Sequence, residues 1–131
     1  MEPQRNADER RLNAVTEVII AAVFQVANTL GVGFLEKVYE NALKFELEDR
    51  GFGVLQQHPI PVFYAGRQVG DYVADLLVEG SVIIEVKAVK ACDDVHRAQC
   101  INYLRATGLR VCLLVNFAKS KVEMKRIVHN L

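Results

Sequence analysis

The sequence predicts an α/β domain in which a mixed β-sheet is flanked by helices, in the order ααβββαββ. Three segments carry apolar residues at three- and four-residue spacings, which is typical of amphipathic helices. The other segments are short apolar or alternating runs of strand length, bounded by glycine and proline. The length of 131 residues fits a single domain, in which residues 1–10 are expected to form a flexible or frayed N-terminus.

Two helices open the predicted order. The first spans residues 11–30 and ends at Gly31 and Gly33, because glycine adopts the left-handed conformations that close helices. Its apolar stripe consists of Leu12, Val15, Ile19, Ala22, Val23 and Val26. The second lies within residues 34–50 and stops at Gly51. Its apolar positions are Leu35, Val38, Tyr39, Ala42, Leu43 and Leu47.

Strands follow, interrupted by one more helix. Residues 54–70 contain two prolines and an Ala-Gly-Arg turn, which favours an edge strand leading into a hairpin. Residues 71–90 supply the next two strands, residues 109–117 a buried central strand, and residues 121–128 an alternating strand. Residues 92–107 return to helical spacing. The positions expected on the buried side of this third helix are Val95, Ala98, Ile101, Tyr103 and Leu104.

Three charged residues interrupt the apolar hairpin of residues 71–90. They are Asp75, Glu85 and Lys87, and burying such groups is costly unless they are paired, hydrogen-bonded or bound to a metal. Glu85 and Lys87 share one face of their strand because side chains alternate along it. Asp75 joins that face only if the loop has an odd number of residues, such as three around Glu79, or if a bulge lies farther along. We expect that register.

The three side chains, if they converge, form a chemically recognisable group. Two carboxylates together with the backbone carbonyl of Val86 suit a hard divalent cation such as Mg²⁺ or Mn²⁺. Such an ion lowers the pKa of a bound water and stabilises charge on a phosphoryl oxygen, and Lys87 could position that water. In the alternative interpretation the group is structural, and Lys87 forms a salt bridge with both carboxylates at the edge of the sheet.

Composition narrows the classes of function. The net charge is zero, which argues against a strongly basic nucleic-acid-binding surface, although residues 95–131 hold seven basic residues and one acidic residue and could meet a polyanion. No uninterrupted apolar run approaches the roughly 20 residues of a membrane span, so no membrane association is expected. Three cysteines without metal-binding spacing favour reduced thiols and a cytoplasmic location.

Several short motifs resemble those of a known family. Asp75 followed by Glu85-Val86-Lys87 resembles the D…(D/E)xK signature of the PD-(D/E)xK nuclease superfamily. Residues 33–39 read G-x-x-E-x-x-Y, which resembles the bacterial GxxExxY protein family, a branch of that superfamily. Residues 99–103 read Q-x-x-x-Y, which follows the catalytic strand in several exonuclease-like branches. The resemblance runs from about residue 12 to the C-terminus.

The resemblance implies a restriction-endonuclease-like core and a metal-dependent nuclease that hydrolyses phosphodiester bonds of DNA or RNA. The residues that it implies in catalysis are Glu36, Asp75, Glu85, Lys87, Gln99 and Tyr103. The three carboxylates would hold Mg²⁺ or Mn²⁺, directly or through water, and the lysine would serve the nucleophilic water. The glutamine and the tyrosine share one helix face and would position the site or the phosphate backbone. A homodimer is expected by analogy with small nucleases of this fold.

The chain also departs from the family pattern. Ala74 stands where the superfamily signature usually has proline, Ala27 where the family often has histidine, and residues 31–33 read Gly-Val-Gly instead of Gly-Pro-Gly. None of these positions belongs to the metal signature. Glu36 has an alternative role as a solvent-facing helix acid, and the two motif tyrosines as core residues with a satisfied hydroxyl.

Two other classes of function stay open. The first is a catalytically silent module that keeps the nuclease fold and binds nucleic acid or joins a complex, which the zero net charge supports. The second is a structural or regulatory partner that does not bind nucleic acid. Loss of metal-dependent cleavage, but not of nucleic-acid binding, on changing Asp75 or Lys87 would separate the enzyme from the binding module.

Overall fold

The computed structural model describes residues 3–131, with side chains described from Ala7 onward, and its elements follow the predicted order ααβββαββ. The helices are α1 (Pro3–Leu30), α2 (Glu36–Asp49) and α3 (Asp94–Thr107). The strands are β1 (Val54–Tyr64), β2 (Arg67–Val78), β3 (Val82–Lys87), β4 (Val111–Asn116) and β5 (Glu123–Val128). Helix α1 begins earlier than the predicted residue 11. Residues 1 and 2 lie outside the described part, and the expected flexibility of residues 1–10 stays a prediction.

The five strands form one mixed sheet in the spatial order β1-β2-β3-β4-β5. Strands β3 and β4 are parallel, and the other neighbouring pairs are antiparallel. Helix α3 makes the crossover that a parallel pair requires. The predicted mixed sheet flanked by helices is therefore confirmed, and β4 is buried along its whole length as expected.

Each face of the sheet packs against helices. Helices α1 and α2 cover one face, and all six apolar residues predicted for the stripe of α1 are buried there. Helix α3 covers the other face through Cys100, Tyr103 and Leu104. In β3 the side chains alternate between the two layers, so that Val86 faces α1 and α2 while its neighbours face α3.

Some predicted core positions are wrong. Leu35 is 80% exposed because it precedes the first turn of α2 and does not reach the sheet. Val38 is also exposed at the start of that helix. Val95 is 73% exposed and Ala98 is exposed as well, because the side of α3 that carries them borders an open cavity beside the outer part of the β1–β2 hairpin.

The segment Ala7–Leu30 of α1 is long and apolar enough to cross a membrane by length and composition. A core helix passes the same test, and the apolar stripe of this helix is buried against the sheet. The helix is thus weak evidence for a membrane span. The expectation that the protein does not associate with membranes stays a prediction.

The β2–β3 hairpin has the predicted odd loop. Val78 pairs with Val82, which leaves a loop of three residues, 79–81. Glu79 and Gly80 adopt φ values of 53° and 61°, in the left-handed region that tight turns require. Residues that stand opposite each other in a hairpin point to the same face. In this register Asp75 corresponds to Glu85, so both lie on one face, as the sequence predicts.

The G-x-x-E-x-x-Y motif forms the connection between α1 and α2. The Tyr39 side chain is fully buried, and its ring stacks on Phe117 with 4.6 Å between centroids. Its hydroxyl donates a hydrogen bond of 2.6 Å to the Gly31 carbonyl and accepts one of 3.3 Å from the Phe34 amide. Gly33 has a φ of 106°, which favours glycine at this position. The tyrosine therefore holds the loop that begins α2 and is a core residue with a satisfied hydroxyl.

Replacing Tyr39 by phenylalanine keeps the stacked ring and removes both of these hydrogen bonds. We expect Tyr39→Phe to lower the free energy of unfolding by about 1–2 kcal/mol, because two backbone groups lose their partner. Urea unfolding measures the change. Tyr64→Phe is the matched control, since Tyr64 is exposed at the end of β1. Equal stability of Tyr39→Phe and wild type would show that the loop does not depend on the hydroxyl.

Candidate active site

Strands β2 and β3 separate beyond the loop-proximal part of the hairpin, and two carboxylates fill the gap between them. Regular pairing ends at Leu76 and Ile84. Beyond it the Asp75 amide donates a hydrogen bond of 2.9 Å to Glu85 Oε2, and the Val86 amide donates one of 2.8 Å to Asp75 Oδ2. The side chains thus satisfy backbone groups that strand pairing leaves free. The structure brings Asp75 and Glu85 together, as the sequence predicts.

Burial makes this pair of carboxylates electrostatically unusual. Burial and, to a smaller extent, the charge of the neighbouring Asp75 together raise the pKa of Glu85 to about 9. Burial also raises the pKa of Asp75 from its ordinary value, partly offset by the hydrogen bond from Val86, and the Glu40 carboxylate adds to the increase. Without a bound cation, the pair therefore retains a proton at neutral pH.

Lys87 lies on the same face of β3 as Glu85, two residues farther along. Its side chain contributes a favourable electrostatic interaction to both carboxylates. Among the side chains that the structure describes, none forms an ion pair with Lys87. The structure thus lacks the salt bridge of the alternative interpretation. The ammonium group is near enough to act electrostatically on the carboxylates but forms no ion pair with them.

Glu36 connects α2 to the end of β3. Its Oε2 accepts a hydrogen bond of 3.2 Å from the Ala88 amide, next to Lys87. The residue is exposed and stands in the first turn of α2, so the loop held by Tyr39 sets its position. The helix acid therefore lies beside the predicted site and is not a surface group without contacts.

Gln99 and Tyr103 lie on one side of α3, as their spacing predicts. The Gln99 Nε2 group donates a hydrogen bond of 2.8 Å to the Tyr103 hydroxyl. Burial raises the pKa of Tyr103 to about 12, and the nearby Glu85 and Asp75 carboxylates contribute to that shift. The phenol is thus neutral at physiological pH. Because its oxygen accepts the glutamine N–H, its own proton is available to a further acceptor.

Glu40 belongs to this region and was missed by the sequence analysis. It is only 4% exposed, and its Oε2 accepts hydrogen bonds from Gln56 (2.6 Å), Gln57 (2.9 Å) and Lys37 (3.0 Å). The signal was present in the helix period, since Glu40 precedes the buried Leu43 by three positions. Its electrostatic effect on Asp75 makes it part of the same acidic cluster.

The backbone is strained in β1 next to the acidic cluster. Gln57 has a φ of 55° within β1, where a residue other than glycine rarely adopts this conformation. It stands opposite Asp75, and these two residues are missing from the otherwise regular pairing of Gln56 with Leu76 and His58 with Ala74. Such strain is frequently found at functional sites.

The donor set fits a divalent cation. Two crowded carboxylates with raised pKa values are stabilised by an added positive charge, and oxygen ligands suit Mg²⁺ and Mn²⁺. Among the side chains from Ala7 onward, however, no group of three or more His, Cys, Asp or Glu residues is already arranged around one point. Glu36 contacts the Ala88 amide instead. The ligand roles predicted for Glu36 and for the Val86 carbonyl therefore stay predictions.

The raised pKa of Glu85 gives stability a definite pH dependence. In the metal-free protein the folded state keeps a proton up to about pH 9, whereas the unfolded chain releases it near the ordinary value of 4.5. The free energy of unfolding therefore receives a contribution that is present below pH 4.5 and is lost as the pH rises to about 9. We expect Glu85→Gln, which cannot ionise but keeps an acceptor oxygen, to reduce this loss.

Thermal unfolding in a chelator across this pH range measures the effect. Asp71→Asn is the control, because it removes an exposed carboxylate from the neighbouring strand β2. The same slope of melting temperature against pH in Glu85→Gln and wild type would contradict the assignment to Glu85.

Comparison with known proteins concerns the family and the fold. The profile of the PD-(D/E)XK nuclease superfamily matches residues 13–127. No protein with a curated description matches the sequence. Similar solved structures include SSO0001, at 15% identity with a TM-score of 0.56, and an alkaline exonuclease (LHK-Exo) from Laribacter hongkongensis, at 17% identity with a TM-score of 0.54.

The extent of these similarities differs. The first covers 73% of this chain and 51% of SSO0001, so the chain spans about half the length of that protein. The second covers 92% of this chain and 70% of the exonuclease. At such identities the structures establish the fold alone. Because the superfamily profile extends over most of the sequence and the fold agrees with it, the chain belongs to the PD-(D/E)XK nuclease superfamily.

Proposed function

We propose that the protein is a divalent-metal-dependent nuclease that hydrolyses phosphodiester bonds of DNA or RNA with water as the nucleophile. The observation that carries this proposal is the pair of buried carboxylates, Asp75 and Glu85, with an unengaged Lys87 on the same strand face. An ordinary structural cluster would be expected to pair this lysine. Membership of the GxxExxY branch is a finer proposal, which residues 33–39 support.

Asp75 and Glu85 would hold Mg²⁺ or Mn²⁺, together with the Val86 carbonyl and with Glu36 directly or through water. When bound, the cation would lower the pKa of a coordinated water and stabilise negative charge on the phosphate. The amides of Asp75 and Val86 keep the two carboxylates oriented, because each donates to the carboxylate of the opposite strand. The two strands thus supply two oriented carboxylates that a cation would join.

The other polar groups would act on water and phosphate. Lys87 would donate a hydrogen bond to the nucleophilic water or to a phosphate oxygen, since no described side chain engages it. Tyr103 would donate its proton in a hydrogen bond to a phosphate oxygen, while Gln99 orients its hydroxyl. The raised pKa of Tyr103 keeps that proton in place across the physiological range. Glu40 would act indirectly, because its negative charge raises the pKa of Asp75. A cation that binds Asp75 would have to displace the proton that this raised pKa favours.

A second function is a binding module that does not cut. The observation that favours it is that the carboxylates of Asp75, Glu85 and Glu36 each accept a hydrogen bond from a backbone amide. This is a structural role that does not require a metal.

A homodimer and a cytoplasmic location are further proposals. The exposed apolar side chains at the start of α2 support the first, and the free thiols of Cys92, Cys100 and Cys112 support the second.

Cleavage of single- and double-stranded DNA and RNA in Mg²⁺ or Mn²⁺ tests the nuclease proposal. We expect wild type to cut at least one of these substrates and Lys87→Ala to lose at least about 100-fold in rate, as for other groups that act on the proton or charge of the nucleophile. Lys90→Ala is the matched control, because this nearby lysine is exposed.

Metal titration followed by calorimetry completes this test. Binding of Mn²⁺ by wild type and its loss in Asp75→Asn are the expected results. If wild type cleaves none of the four substrates, and if Asp75→Asn and Lys87→Ala bind nucleic acid as tightly as wild type, the binding module is favoured. Equal cleavage by wild type and Lys87→Ala would indicate a contaminating activity.

A further inference from the structure

A groove on the α3 side of the sheet lies next to the carboxylate cluster. One wall is the outer part of the β1–β2 hairpin, with residues 61–63 and Tyr72, and the other is α3 between Val95 and Ala106. We call it the hairpin–α3 groove. Its volume of about 850 Å³ lies within the range of pockets that enclose small ligands, about 300–1,000 Å³.

One face of α3 is turned toward this groove. Its lining residues are Val95, Ala98, Gln99, Asn102, Arg105 and Ala106, which follow the three- and four-residue spacing of a single helix face. This face is different from the side that packs on the sheet through Cys100 and Leu104. It explains why Val95 and Ala98 are exposed although their spacing predicts burial.

Aromatic rings form much of the opposite wall. Phe63 is exposed, and Tyr72 is 51% exposed, so both offer ring surface to a ligand. The Tyr72 ring lies 5.9 Å from the Tyr103 ring at an angle of 52°. Exposed aromatic faces in a groove are suited to stacking with planar groups, and every nucleobase has such a face.

The groove adjoins the proposed active site at Gln99 and Tyr103. Gln99 and Tyr103 line it and are hydrogen-bonded to each other. Tyr103 also lies near enough to Glu85 and Asp75 for their charges to act on its hydroxyl. A ligand in the groove that extends past Tyr103 would therefore reach the carboxylates.

The charge of the groove favours an anion. Of the described residues that line it, Arg105 alone is charged, and none carries a carboxylate. No described side chain forms an ion pair with Arg105, so its guanidinium is available to a phosphate. The amides of Gln99 and Asn102 add hydrogen-bonding groups between the arginine and the aromatic wall.

We propose that the hairpin–α3 groove binds an unpaired nucleotide of the substrate, so that the protein acts on single-stranded nucleic acid. Tyr72 and Phe63 stack on the base, and Arg105 contacts a phosphate. A paired base presents only its edges in the grooves of a duplex, whereas an unpaired base can enter and stack. This inference rests on the proposed nuclease function, because a nuclease binds nucleic acid, and its substrate would then be the anion that occupies the groove.

Fluorescence anisotropy in a chelator tests binding separately from cleavage. The probes are fluorescein-labelled oligo-dT and oligo-U strands and a hairpin duplex of the same length. We expect wild type to bind the single strands more tightly than the duplex. Tyr72→Ala and Arg105→Ala should each weaken single-strand binding by about 10-fold, as for the loss of one stacking or phosphate contact.

Two further variants serve as controls. Tyr72→Phe keeps the ring and should bind like wild type, which separates the contribution of the ring from that of the hydroxyl. Tyr64→Ala removes an exposed aromatic residue of the same hairpin that does not line the groove, and should bind unchanged. Sedimentation of wild type and Tyr72→Ala detects the competing occupant, a second copy of the chain.

The outcomes separate this inference from the proposed function. Cleavage by wild type with single-strand binding unchanged in Tyr72→Ala overturns the inference and leaves the nuclease intact. Reduced binding in Tyr72→Ala and Arg105→Ala without any cleavage supports the groove and argues against the nuclease. Preference for the duplex, or a wild-type dimer that Tyr72→Ala abolishes, overturns the inference.

Discussion

The exchange of hydrogen bonds between β2 and β3 is the interaction on which the rest of the site depends. Asp75 accepts from the Val86 amide, and Glu85 accepts from the Asp75 amide, just where regular pairing stops. This arrangement requires the three-residue loop, since a loop with one residue fewer would place Asp75 on the opposite face. A turn that holds two residues in left-handed conformations thus determines whether two carboxylates meet.

Burying these carboxylates opposes folding, and the surrounding layers offset the cost. Apolar residues of both helical layers pack against β2 and β3 next to the acids. The distortion of β1 at Gln57 places two glutamine amides on Glu40, so this third acid is hydrogen-bonded although it is buried. The large cores on both faces can stabilise a local arrangement of charge and strain that would be unfavourable alone.

Helix α3 joins the carboxylate cluster to the hairpin–α3 groove. One side packs on the sheet, and the adjoining side lines the groove. Tyr103 is shared by both, because its ring contacts Tyr72 while its hydroxyl lies near the carboxylates. Substrate bound along the helix would therefore be aligned with the site by the same rigid element that positions Gln99 and Tyr103.

Of the two hairpin registers that the sequence allows, the structure has the odd loop that brings Asp75 to Glu85. The sequence by itself determined the order of elements, the stripe of α1 and the shared strand face of Glu85 and Lys87. These features follow from local periodicity and from alternation along strands, which depend on near neighbours only. Tertiary structure alone decided that two glutamines of β1 donate hydrogen bonds to Glu40, that Leu35 and Val95 are exposed, and that Lys87 is unpaired. Each of these depends on which element packs against a given face, and periodicity shows that a face is apolar without showing what covers it.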